Sequence, residues 1–238
     1  MKSRQQTGFV RKLVKPGLHK CTVIQVIDLG TQKSNNPKFE DKRKLQITYE
    51  LKEEGDYHVF NEEKGKQPQV MTEDVNINID KDGYISIDYV KSNLGKRILQ
   101  YLGEDVMTVE KRKDFDLKEL LGKNGNLLIS HYNTQKGEKR DKIQVASAKE
   151  PGVAYPTTHN PFIHFSIGGD DCLFNDVAKK DKALGSDKQV LPKLPKWIIK
   201  KIIASPEWKE LHGSFGEDLI KDNPKAGTED LYEQEQEM

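Results

Sequence analysis

Two histidines, His159 and His164, and three aspartates, Asp170, Asp171 and Asp176, are the residue types that hold metal ions or move protons. The histidines are five apart. That offset puts them on neither one face of a helix nor one face of a strand. They read as unrelated side chains around the start of a strand. The aspartates follow Gly168-Gly169, where turns take aspartate for its own backbone hydrogen bonds; a Mg²⁺-dependent nuclease is the alternative that would use them. Ser166 and Cys172 have no base beside them in sequence, so nucleophilic catalysis has no support. The chain also lacks GxxxxGK[ST] and GxGxxG. These observations predict a protein that is not an enzyme and holds neither cofactor nor metal.

Cations mixed with rings are the stronger signal. One group is Lys33, Lys38, Lys42, Arg43 and Lys44, with Phe39 among them and Glu40 and Asp41 as its acids. The other is Lys136, Lys139, Arg140 and Lys142, preceded by His131 and Tyr132, with Glu138 and Asp141 as its acids. Bases for phosphates and rings for stacking are what a single strand of nucleic acid needs. Taken alone, each group is also an ordinary solvated loop. Phe39 stands out, because a lone ring in a polar loop has no obvious core partner. Tyr57 and Phe60 lie in the polar stretch 52–68, which is expected to be a loop that folds over bound nucleic acid or packs on the rim of the fold.

The elements that must position these groups follow from periodicity. Leu18–Leu29, bounded by Pro16-Gly17 and Gly30, is rich in β-branched residues and predicts a long buried strand. Leu45, Ile47, Tyr49 and Leu51 alternate with Lys44, Gln46, Thr48 and Glu50, which predicts a second strand with one apolar face and one wet face. Tyr49 falls on the apolar side and belongs to the core. Val75, Ile77 and Ile79 predict a third strand, running into an Asp82-Gly83 turn. The period then becomes helical through Val90, Leu94, Ile98, Tyr101 and Leu102, and Gly103 stops it. A short helix at 116–121 and a hairpin of two strands, 126–132 and 139–148, complete the series.

Three strands, a helix and two strands is the order of the OB-fold, the five-stranded Greek-key barrel with a helix between strands 3 and 4. The predicted class is therefore mainly β. In that barrel the ligand crosses strands two and three between the loop joining strands one and two and the loop joining strands four and five. Both cation groups fall at those loops. Beyond the barrel the sequence predicts an extra strand near Phe162–Ile167, a helix from Lys196 and a helix start at Ser205-Pro206. The domain reading is a core over 1–148, a strand and helix extension over 149–227, and a disordered acidic tail over 228–238.

Composition bounds the rest. Hydrophobic residues make up 34% and charged residues 32% of the 238, which suits a small core and much wet surface. Cys21 and Cys172 form no disulfide framework, no apolar run reaches a membrane span, and no signal peptide is evident, so the expected place is the cytoplasm. The formal charge of +1 hides an asymmetry. The first twenty residues hold Lys2, Arg4, Arg11, Lys12, Lys15 and Lys20 and no acid, whereas the tail holds Glu229, Asp230, Glu233, Glu235 and Glu237 and no base. With those five acids set aside, the rest stands at +6. A tail of this kind either solubilises the chain or competes with a polyanion for the basic body.

Gly17-Leu18 leading into VIQVIDLGTQ, the KLQITYEL strand, the helix before Leu102-Gly103, the DFDLKELLGK segment and the LLISHY…KIQVASA hairpin resemble the OB-fold single-stranded DNA-binding proteins of tailed bacteriophages. The Asn160-Pro161-Phe162 strand and the Ser205-Pro206-Glu207-Trp208 segment are also similar. The resemblance implies protection of single-stranded DNA during replication or recombination, in the cytoplasm of a host cell, without catalysis. It also implies a tail that recruits replication or recombination proteins, although this tail closes on Glu237-Met238 where such tails often close on an aromatic residue. The competing expectation is a protein-interaction or inhibitor protein built on the same barrel. The sequence leaves the oligomeric state open, including whether Trp197–Ile203 packs on the barrel or on another subunit.

Overall fold

A computed structural model of the chain describes residues 12–34, 36–61, 65–78, 92–103, 116–168 and 190–221, with the backbone alone at Phe60 and Asn61. Its axis is β1 (Gly17–Gln32), the long β-branched run that the sequence predicts. One edge of β1 pairs antiparallel with β2 (Lys42–Leu51). The other edge is shared. Its first half, Gly17–Thr22, pairs antiparallel with β6 (Asn124–Asn133), and Gln25–Ile27 pair parallel with β8 (Ile163–Phe165). Outside these lie β5 (Val70–Asn76) on β2 and β7 (Lys139–Ala148) on β6, giving the order β5-β2-β1-β6-β7 with β8 joined to β1.

The protein is thus mainly β, and its described residues hold a six-stranded sheet. Helix α1 (Asn93–Leu102) packs against both end strands, β5 and β7, so the sheet wraps around its apolar face in a barrel-like way. Ser92 starts that helix by accepting from Gly95 N at 3.1 Å. Asp116 caps the short 3₁₀ turn Leu117–Leu120 in the same manner. Leu45, Ile47, Tyr49 and Leu51 share one buried apolar cluster with Leu94, Ile98 and Tyr101 of α1.

A second apolar cluster lies on the opposite face of β1. Ile27 and Leu29 meet Phe165, Ile167 and Trp208, together with α2 (Lys196–Ala204). Trp197–Ile203 therefore packs on β1. Ser205 caps α3 (Pro206–His212), accepting from Trp208 N at 3.2 Å. Gly30 makes this contact possible. Its φ is +67°, and a Cβ there would come within 2.5 Å of Ser205.

Three expectations need correction. The second face of β2 is not wet, since Gln46, Thr48 and Glu50 are all buried. The reason is distant in sequence: α2 and residues 157–160 lie against it. Residues 52–68 are not a loop; they contain the two-stranded ribbon β3 (Tyr57–Asn61) and β4 (Gly65–Pro68). The strand predicted from Val75 begins at Val70, earlier than its apolar alternation suggests, because Val70 and Met71 continue the pairing with β2. Residues 79–91, with the Asp82-Gly83 turn, lie outside the described part.

Candidate nucleic-acid interface

The loop between β1 and β2 is anchored at its base. Asp28, fully buried, accepts from Arg43 Nη2 at 2.6 Å and Nε at 3.2 Å, from Gly30 N at 2.9 Å and from Ile167 N at 3.3 Å. Arg43 is accordingly turned inward, as a positioning group for the loop. Glu207 of α3 accepts from Thr31 N at 2.9 Å. Burial pushes the Glu207 carboxyl up, but the bonds from Thr31 outweigh it and hold the carboxyl below its usual range. Above this base the loop is shaped by its own bonds: Ser34 N to Asp41 at 2.9 Å, Lys38 N to Asn36 Oδ1 at 3.0 Å and Phe39 N to Asn36 O at 3.0 Å. The result presents Phe39, 67% exposed, beside the exposed Lys33, Lys38 and Lys42. Lys44 is half-buried at the start of β2.

At the β6–β7 hairpin, Lys136 and Lys139 are exposed, Tyr132 is exposed, and Arg140 pairs with Glu138 at 3.0 Å. His131 faces the other way. Its Nε2 lies 2.7 Å from Val14 O and 3.2 Å from Asp141, so it ties residues 12–16 to the hairpin. His19 does similar work, with Nδ1 2.9 Å from Asp56 and Nε2 2.7 Å from Lys15 O. Both ring nitrogens face acceptors, and the Asp56 bond raises the pKa of this histidine. Tyr57 is half-buried on β3; the side chain of Phe60 lies outside the described part.

The strand register separates the two loops. Gln32 pairs with Lys42 at one end of β1, whereas Gly17 pairs with Ile129 at the other, and β6 runs on to Asn133 before its loop. Between them, the outer face of β2 is roofed. Glu50 and Lys52 form an ion pair whose side chains are wholly inaccessible. The Glu50 carboxylate also accepts from His159 N at 2.9 Å, Asn160 N at 2.7 Å and Asn160 Nδ2 at 2.7 Å, and Lys52 Nζ donates to Thr157 O at 3.3 Å. Gln46 donates to Asp74, which pairs with Lys201 of α2 at 2.8 Å. The strand-two part of the expected track thus carries the chain's own extension, while Val70, Asp74 and Asn76 on the outer side of β5 stay exposed.

An open apolar face is the outer side of the first half of β1, β6 and β7. Leu18, Leu128, Tyr132, Lys142 and Val145 are exposed there, with Lys20 half-buried among them. Of these, sequence reasoning singled out Tyr132 and Lys142. The alternation Leu128, Ser130, Tyr132 was the signal that would have found the face.

His159 and His164 do not converge. The backbone N–H of His159 serves Glu50, and His164 pairs with Val26 in the sheet. No cluster of three metal-ligating side chains occurs among the described residues. Asp170, Asp171, Asp176 and Cys172 lie outside them, as do Glu229, Asp230, Glu233, Glu235 and Glu237 of the tail. Among the described residues no helix is long and apolar enough to cross a membrane. Comparison of the chain with protein-family models, with curated proteins and with solved structures finds no match.

Proposed function

We propose that this chain is a non-catalytic, sequence-tolerant single-stranded DNA-binding protein on an OB-fold, serving phage replication or recombination. The observation that carries the reading is the loop after β1: a solvent-exposed ring among exposed lysines, on a base fixed by Asp28 and Arg43. A ring held out in water with cations around it is suited to stacking on a base while the cations meet phosphates. The order β5-β2-β1-β6-β7 supports the fold assignment. It reads as barrel strands three, two, one, four and five, with α1 between the third and fourth. The ribbon β3–β4 is then an insertion, and the extension from 149 a covering layer.

The test is fluorescence anisotropy of the full chain with a labelled oligothymidine and with duplex DNA, from 50 to 200 mM salt. With about five phosphate contacts and a slope near −0.7 for each, single-strand affinity falls roughly a hundredfold across that range. An affinity that stays flat with salt, or that favours duplex, rejects the reading. The second reading, a protein-interaction or inhibitor protein, is favoured by Leu211 and Phe215, apolar side chains exposed around the end of α3. It predicts no binding in the same titration.

A further inference from the structure

We infer that the strand is bound on the outer face of β1, β6 and β7, and not across β2 and β5. The inference rests on the single-strand reading above and names its surface. Leu18, Leu128 and Val145 are direct cross-strand neighbours, one on each of three adjacent strands. They are 59%, 41% and 49% exposed. Such neighbours stand about 5 Å apart, so the three make a continuous apolar row across the sheet. Tyr132, 47% exposed, shares this face one alternation beyond Ser130, and Ser130 accepts from Gln144 at 2.7 Å.

The charge along the paired strands of this face is basic, with Glu138 of the hairpin turn paired to Arg140 at its edge. In the segments 18–20, 126–132 and 140–147 the outward charged residues are Lys20, Arg140 and Lys142. The one acid in those segments, Asp141, points inward and accepts from Val14 N at 3.3 Å. At the end near Asn126, Tyr155 donates to Asn126 Oδ1 at 3.1 Å, and its ring has Lys20 Nζ at 6.0 Å and Lys149 Nζ at 5.5 Å. The face therefore offers an apolar strip for unstacked bases, amide and hydroxyl groups along it, and cations at both ends. A polyanion with apolar bases matches that arrangement, whereas an acidic protein partner would leave the apolar row without use for its charge. On the competing face the β2 half is closed, because Gln46, Thr48 and Glu50 are buried beneath the chain's own extension, and the exposed β5 half carries the acid Asp74.

Lysine acetylation of the full native chain, with and without a 20-nucleotide oligothymidine, tests the placement without any substitution. Lys20 and Lys142 should be protected by the oligonucleotide, and Lys66, exposed on β4, should not. Anisotropy then reads the energetics. Lys20→Glu with Lys142→Glu should weaken binding at least about tenfold at 50 mM salt and reduce the salt slope by roughly 1.4, the share of two phosphate contacts. Tyr132→Ala should weaken it about fivefold or more. Lys66→Glu should change neither. Equal acetylation with and without oligonucleotide, or an unchanged slope in a protein that still binds, overturns the face and leaves the single-strand reading standing. A full chain that binds no single strand overturns both. A concentration-dependent dimer that Leu128→Glu abolishes, with DNA binding intact, would assign the row to a second copy and also overturn the inference.

Discussion

Removing Glu50 or Lys52 should separate the roof over β2 from the strand beneath it. Both side chains are wholly inaccessible, and the carboxylate receives Lys52 together with three N–H groups from His159 and Asn160. Glu50→Met leaves the ammonium of Lys52 buried with only Thr157 O nearby and leaves those N–H groups without their acceptor. Stranding one member of a buried pair costs about 3–5 kcal/mol, and each orphaned group adds about 1–3 kcal/mol if it stays dry. A loss near 5 kcal/mol corresponds to roughly 10–20 °C in Tm for a folded unit of this size. Lys52→Met should cost less, about 3 kcal/mol, because the backbone donors still hold the carboxylate. The double variant Glu50→Met, Lys52→Met should cost no more than Glu50→Met alone, since neither charge is then buried without its partner. Urea unfolding of the four proteins closes the cycle, and hydrogen exchange at 157–160 reports whether the roof opens before the barrel does. Two single variants each within about 1 kcal/mol of the parent, or a double variant that equals their sum, would refute the argument.

The same carboxylate gives a pH dependence. Burial pushes Glu50 up, but Lys52 and the N–H groups of His159 and Asn160 outweigh it, so its folded pKa is lowered from 4.5. Its contribution to stability is complete above that ordinary value and is lost as pH falls through the folded one; urea midpoints between pH 6 and 3 should fall less in Glu50→Met than in the parent. His19 has the opposite sign. Its pKa is raised above 6.5, so its contribution is complete below that value and is lost as pH rises through the folded one; His19→Gln should flatten this loss in unfolding midpoints measured from pH 6 to 9. Gly30→Ala should destabilise by at least about 2 kcal/mol in thermal unfolding, from its positive φ together with the approach to Ser205. Truncation after Gly227 should tighten oligothymidine binding about fivefold, the low end of couplings between sites, if the tail competes for the basic surface; unchanged binding removes that role.

What the sequence revealed of this fold follows the range over which each signal acts. β1, α1, the β6–β7 hairpin and the helix start at Ser205 were legible, because periodicity and capping are decided within a few residues, whereas the cap at Ser92 was passed over inside a helical period read from Val90. The ribbon β3–β4 was hidden by its polar composition: His58 and Gln67 pair across it, and β4, Gly65–Pro68, shows no apolar alternation. The burial of Gln46, Thr48 and Glu50 was hidden for another reason. Their alternation with Leu45, Ile47 and Tyr49 is what a strand with one wet face looks like. The groups that bury them lie roughly 30 to 150 residues further on, at Asp74, His159, Asn160 and Lys201. A buried face built from polar residues carries no local mark, because the energy that permits it resides in the partners. The candidate site divides along the same line. Phe39 and the hairpin lysines were readable as exposed, whereas Arg43 and His131 were readable only as basic or aromatic, and both prove to be internal ties.

Taken together, these ties explain why the extension cannot be treated as an accessory to residues 1–148. β1 supplies Val23 and Val26 to the cluster around α1 and Ile27 and Leu29 to the second cluster, so one strand holds two cores. Burying apolar area on both faces of a strand stabilises it by about 25 cal/mol for each Å² removed from water, and removal of the extension would return Ile27 and Leu29 to solvent. It would also leave Asp28 without Ile167 N, and Glu50 without His159 and Asn160. The anchoring of the Phe39 loop depends on that same Asp28. A fragment ending at Ala148 should therefore lose the fixed base of the loop as well as stability, and its affinity for a single strand should fall even though it keeps Phe39, the lysines around it and the open face of β6 and β7.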